Sequence, residues 1–202
     1  MSTDSANLTQ AKAFSRGRPR DKDVDTRILQ AALNLVEQHG FRAVTVEVIA
    51  EEAAVAKTTI YRRWPGKAAI VMDALLTVVE PEIGFPEGAS PLESLRKQMS
   101  LLAQAFRSNR GVLVRSLLAE AQFDPELKTA FLERWILKRR AIGTSVIRAA
   151  IDAGELAADT DPEMLLDALY GGLYYWLLIG TLPPTEGHVE SLWRTVMAPK
   201  TR

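Results

Sequence analysis

No cysteine occurs anywhere in the 202-residue chain, which removes disulfides, thiol nucleophiles and cysteine-ligated metals together. Histidine is almost as scarce, at two residues, and neither an HExxH pair nor a glycine-rich phosphate loop is present. Hydrolytic, metal-assisted and nucleotide-dependent chemistry are left with few residues to use, so neither an enzyme nor a cofactor is expected. No run of about 18 apolar residues exists, and residues 1–15 lack the apolar centre of a signal peptide, so the expectation is a cytoplasmic protein with no membrane partner. Net charge is missing too: 25 basic residues face 25 acidic ones, and any attraction to a polyanion must be local. One such place exists. From Ala53 to Met72 there is no acidic residue, and the charges present are Lys57, Arg62, Arg63 and Lys67.

Around that basic stretch the sequence reads as two short helices and a tight turn. Thr45 is placed to cap the first, whose Val46, Ile49, Ala50 and Ala53 recur at three- and four-residue steps while Glu47, Glu51 and Glu52 face water. The break falls near residues 54–56. Lys57 to Trp64 then makes about two turns before Pro65-Gly66 stops the helix. Threonines and a tyrosine interleave with the cations, which suits phosphates and base edges better than a merely solvated face. The candidate DNA-contacting residues here are Thr45, Lys57, Thr58, Thr59, Tyr61, Arg62, Arg63 and Lys67.

These residues resemble the helix-turn-helix of the tetracycline-repressor (TetR/AcrR) family of bacterial regulators. The family's pattern appears here as Gly40-Phe41, Thr45, Val55, Thr59-Ile60-Tyr61, Arg62-Arg63, Trp64 and Lys67, over roughly residues 24 to 75. Three positions depart from it: Ala54 stands where glycine is common in the turn, Ala56 where serine often caps the recognition helix, and Thr58 where glycine or alanine is usual. If the backbone at residue 54 is left-handed, alanine there costs on the order of 1 kcal/mol.

Residues 1–20 read as a disordered basic arm. The first fifteen are polar and unpatterned, and Arg16, Arg18 and Arg20 follow on a segment that Gly17 and Pro19 keep out of a helix. Such an arm suits a narrow minor groove or is a solubilising tail. A helix is expected from Asp25 to His39, stopped by Gly40, and residues 21–66 make the helix-turn-helix domain, with Phe41, Val44 and Trp64 beneath it. Residues 67–202 make a second helical domain. Its first helix, from Lys67 to Val79, offers an N-terminus for a phosphate and a lever into the rest of the chain. Ser90-Pro91-Leu92-Glu93, Asp124-Pro125-Glu126 and Asp161-Pro162-Glu163 open further helices, Asn109-Arg110-Gly111 turns the chain before a helix from Val112 to Phe123, and Glu186 to Met197 closes it. The fold class is therefore all-α.

The last two helices carry more apolar residues than one buried face needs, so they are expected to dimerise, as the corresponding pair does in the family. The candidates are Leu169, Gly172, Leu173, Trp176, Leu192, Trp193 and Val196. Met99, Phe106, Leu117, Phe131, Trp135, Tyr170 and Tyr174 suit the wall of a small-molecule cavity and an ordinary core alike. The resemblance implies a homodimer on a palindromic double-stranded DNA operator, mostly as a repressor, released by a small apolar or aromatic molecule. An architectural DNA-binding protein without a ligand is the alternative, and the large second domain weighs against it.

Overall fold

A computed structural model of the chain describes residues 22–87, 90–180 and 184–198. All regular structure there is helical: α1 Lys22–Ala43, α2 Val46–Glu52, α3 Lys57–Tyr61, α4 Lys67–Val79, α5 Pro91–Arg107, α6 Asn109–Glu120, α7 Pro125–Phe131, α8 Leu137–Asp152, α9 Pro162–Ile179 and α10 Glu186–Met197. The all-α fold divides into an N-terminal helix-turn-helix domain and a larger C-terminal helical domain.

Helices of seven and five residues, such as α2 and α3, are too short to persist alone. They are held by burial: Ile28 of α1, Ile49 of α2 and Ile60 of α3 have no exposed surface, and each contributes about 1.5–3 kcal/mol. Gly40, at φ 75°, breaks α1 where expected, and one further turn places Phe41 and Val44 under the unit. Thr45 caps α2 by accepting from the Val48 amide, and Arg27 of α1 donates to the Ala53 carbonyl at its other end. The α2 terminus is a Schellman turn, with Val55 N–H bonded to Ala50 O and Ala54 N–H to Glu51 O. Ala54 takes the left-handed position at φ 52°, the strain that the missing glycine implies.

Two of the basic residues hold this domain together. Lys67 donates from Nζ to the carbonyls of Phe41 (3.2 Å) and Val44 (3.0 Å) and sits over the Phe41 ring, tying the end of α1 to the start of α4. Arg63 pairs with Asp25 of α1 and donates to the Thr59 carbonyl.

α4 is buried along most of its length and packs against α1 on one side and α7 on the other. The predicted long helix after Asp124 is present, but one turn of it, Leu132–Ile136, widens so that Leu137 N–H reaches Leu132 O. Such a wide turn is uncommon and concentrates at functional sites. The helix expected from Val112 begins earlier, at Asn109, because Ser108 caps it through the Arg110 amide. Gly111 is needed there, since a Cβ would strike the Phe106 carbonyl. It ends at Glu120, before the predicted Phe123, which is 79% exposed. Ser90 caps α5 as predicted, and the Glu155 carboxylate accepts from both Ser90 Oγ and the Leu92 amide, joining the start of α5 to the loop after α8. The Thr185–His188 capping box on α10 uses an imidazole where the usual pattern has Glu or Gln.

Relieving the left-handed alanine is the direct check on this local geometry. Ala54→Gly is expected to raise stability by about 0.5–1 kcal/mol, the relief of strain exceeding the entropy cost of glycine. A lower thermal midpoint for this variant would contradict the assignment.

Candidate DNA-reading face and effector cavity

On the outer side of α3 the exposed residues are Lys57, Thr58, Tyr61 and Arg62, with Tyr61 54% exposed. Lys57 makes a 3.2 Å ion pair with Glu47 of α2, both partners more than half exposed, an arrangement that a phosphate can readily displace. Thr59 is half-buried and its hydroxyl faces Arg62 Nη2 at 3.4 Å. α3 has no side-chain cap, as Ala56 implies.

The other predicted contacts are placed differently. Thr45 Oγ1 is occupied as a cap. Arg63 and Lys67 are engaged within the domain, and sequence alone could not separate them from the cations of the outer face because their partners lie 38 and about 25 positions away. The N-terminus of α4, expected to face a phosphate, has the Glu126 carboxylate of α7 lying against Gly66. Arg16, Arg18 and Arg20 lie outside the described residues.

In the C-terminal domain a cavity of about 300 Å³ opens between α5, α8, α9 and the wide turn before α8. Phe85, Leu102, Trp135, Ile136 and Leu166 form its apolar wall, and Arg139, Arg140, Asp167, Tyr170 and Tyr174 supply polar groups. Trp135 is fully buried and donates from Nε1 to the Tyr174 hydroxyl at 2.8 Å. Tyr170 donates to Gln98 Oε1, and Gln98 Nε2 donates to the Ile83 carbonyl. Burial pushes the Tyr174 phenol up to about 12 and the Tyr170 phenol higher still, so both hydroxyls stay neutral donors.

Of the seven residues proposed for such a wall, Trp135, Tyr170 and Tyr174 are on it. Phe106 and Phe131 stand one layer back, edge-on to Tyr174 (5.4 Å) and beside Trp135 (5.9 Å). Met99 is packed in the core, and Leu117 borders a different, larger cleft of about 560 Å³ where α1 meets α6. That cleft is rimmed by Glu37, Arg42 and Glu120, and Arg42 Nε already pairs with Glu120 at 2.6 Å. Its charged rim makes it a solvated seam and a poor seat for an apolar molecule.

Three residues escaped the sequence reading. Asp73 of α4 accepts from the Trp64 indole at 2.8 Å and pairs with Arg134 of the wide turn at 2.5 Å, so one carboxylate joins the recognition unit to the turn that presents Trp135. Arg139 is the third. It follows Trp135 by four positions, the spacing that shares a helix face, which was the signal available.

Of the predicted dimer contacts, Leu169 and Leu173 are fully buried within the protomer, and Gly172 lies against Leu192 so closely that a Cβ would collide with it. Trp176 is half-buried beside His188, and Trp193 and Val196 are half-buried on α10. The open face of α9 instead carries Met164, Ala168, Gly171, Tyr175, Leu178 and Ile179. All-round apolarity does not reveal which side faces the core, so the sequence reading combined core residues, Leu169 and Leu173, with half-buried ones such as Trp176 and Trp193. Among the described residues no helix is long and apolar enough to cross a membrane.

The comparisons with known proteins agree in both domains. Residues 28–74 match the model of bacterial regulatory proteins of the tetR family, and residues 85–196 match a tetracyclin repressor-like C-terminal domain. The HTH-type transcriptional regulator YdeS of Bacillus subtilis (strain 168) is 34% identical over 177 residues, covering 88% of this chain and 89% of YdeS. The crystal structure of the TetR family transcription regulator SCO0332 superposes with a TM-score of 0.73 at 28% identity, over 89% of this chain and all of that one. FadR from Bacillus subtilis, solved in complex with stearoyl-CoA, shares the fold, with a TM-score of 0.66 at 18% identity over 86% of this chain and 97% of that one. A helix-turn-helix with an exposed basic and hydroxyl-bearing face, joined through a buried helix to a second helical domain, and matched at both ends, identifies this chain as a transcriptional regulator of the TetR family.

Proposed function

We propose that the regulator is a ligand-responsive repressor: a homodimer that holds a palindromic operator through two copies of α3 and lets go when a small molecule fills the cavity beside Trp135. The observation that carries this reading is the Trp64–Asp73–Arg134 connection. Occupying the cavity pushes on Trp135 and Tyr174, and Trp135 belongs to the same wide turn as Arg134. A shift of that turn moves the carboxylate partner on α4 and with it Trp64, which closes the recognition unit. The effector must prefer one of the two arrangements, since equal affinity for both shifts nothing.

The DNA face uses Lys57, Thr58, Tyr61 and Arg62, with the arm residues Arg16, Arg18 and Arg20 added along the minor groove. The dimer forms through the open face of α9, where Met164, Tyr175 and Ile179 are each more than half exposed, with α10 alongside. An apolar stripe of that extent suits a second copy better than water.

Two measurements test these assignments. If a dimer uses about four cations per protomer, roughly eight phosphates are neutralised, and log K for operator binding falls against log salt with a slope near −7. Arg62→Ala makes that slope shallower by about 2. Lys67→Ala leaves the slope alone and lowers the thermal midpoint, because its ammonium is committed inside the domain. A wild-type slope shallower than about −2, or equal slope changes in the two variants, contradicts the interface. Sedimentation provides the second check: Tyr175→Asp gives folded monomers with weak operator binding, whereas Leu173→Asp fails to fold, and a monomeric wild-type protein at micromolar concentration contradicts the dimer.

A further inference from the structure

The cavity beside Trp135 holds a charge imbalance. Arg139 contributes a guanidinium to its wall, with burial working against that charge. Nη2 donates to the Ile83 carbonyl at 2.8 Å, and the group faces the Phe85 ring at 5.9 Å. Among the described residues no carboxylate comes within ion-pairing distance of it, and Glu80 acts on it only from farther off. The neighbouring Arg140 differs: it is paired with Asp167, which shares the cavity wall, and with Glu163, which lies off it. The charged groups on the wall itself are thus two guanidiniums and one carboxylate, and Arg139 is the one of the three with no ion-pair partner among the described residues.

The hydrogen-bonding inventory points the same way. Tyr174 oxygen already accepts from Trp135, and its own O–H has no acceptor among the described residues. The Nε and Nη1 donors of Arg139 likewise have none. The nearby carbonyl of Ile83 is taken twice, by Arg139 and by Gln98. A guest therefore meets spare donors and a cation at Arg139 and Tyr174, while the carboxylate on the wall, Asp167, is engaged by Arg140. Arginine presents paired N–H groups in a planar fork, the geometry that a carboxylate fills with both oxygens.

From this we infer that the effector is an organic monocarboxylate, its apolar or aromatic body lying against Trp135, Phe85 and Leu102 and its carboxylate on Arg139, with the Tyr174 hydroxyl as a further donor. This rests on the reading of the cavity as an effector site and narrows it from apolar molecules in general to anions. The anion would also compensate a guanidinium that the fold has partly removed from water.

The test compares acids with neutral copies of themselves: octanoate, decanoate, 4-phenylbutanoate and cinnamate, each against its primary amide, by calorimetry and tryptophan fluorescence on the full-length protein. At least one acid is expected to bind the wild type tighter than its amide by about tenfold or more, as charge-assisted bonds imply. Arg139→Met removes that preference while leaving the amide's affinity within a few-fold, and Arg139→Lys restores part of it. Amides that bind as well as or better than their acids overturn the inference, as does an acid preference that survives Arg139→Met, or a panel in which no acid binds. Operator release is measured separately. Acids that bind through Arg139 but leave the DNA complex intact overturn the effector reading and spare the charge assignment, whereas neutral compounds that bind and release DNA do the reverse.

Discussion

Asp73 is the residue on which the two halves of the molecule depend. Its two oxygens serve different partners, the Trp64 indole on one side and the Arg134 guanidinium on the other. Trp64 is 6% exposed and ends the recognition unit, so its indole N–H must find an acceptor inside the protein, and a carboxylate on α4 is the acceptor provided. That carboxylate then needs a cation, which comes from the wide turn of the C-terminal domain. Packed interiors respond to strain by switching between arrangements, not by yielding smoothly, so in the proposed mechanism this two-sided bond is where a small displacement would become a change of state.

The N-terminal unit was largely legible in the sequence because its determinants are local. The Thr45 cap, the Gly40 break and the left-handed position of Ala54 are each set within a few residues. The same holds for the helix starts at Ser90, Asp124 and Asp161. What escaped is long-range. Lys67 and Arg63 look like phosphate ligands in a list of charges, and only the fold brings Phe41, Val44 and Asp25 to them. Arg139 sits in Lys138-Arg139-Arg140, which reads as a solvated run until the helix turns one of the three inward. On α9 the apolar pattern is nearly continuous, so periodicity could not choose between the core side, where Leu169 and Leu173 lie, and the open side of Tyr175 and Leu178.

In a chain with no net charge, the charged residues are divided between internal pairs and unpaired positions. Several of the described cations are engaged in structure: Arg42 with Glu120, Arg96 with Glu190, Arg140 with Asp167 and Glu163. Arg62 on the outer side of α3 and Arg139 on the cavity wall are among the described cations that have no carboxylate partner. α4 runs from the recognition unit to the wide turn whose helix carries that wall, so the proposed guest and operator would act on the two ends of one buried helix.

Whether those ends are coupled through Asp73 is the central claim, and a titration measures it directly. The tightest-binding compound found by tryptophan fluorescence is titrated calorimetrically into the wild type and into Asp73→Asn, each with and without saturating operator DNA. For the wild type, operator is predicted to weaken ligand binding by about 5- to 150-fold, the reciprocal of the ligand's effect on DNA. For Asp73→Asn, which keeps an acceptor for Trp64 but loses the charge that holds Arg134, the two affinities are predicted to agree within about twofold. Equal affinities in the wild type, or full coupling retained in Asp73→Asn, would contradict a signal carried by this carboxylate.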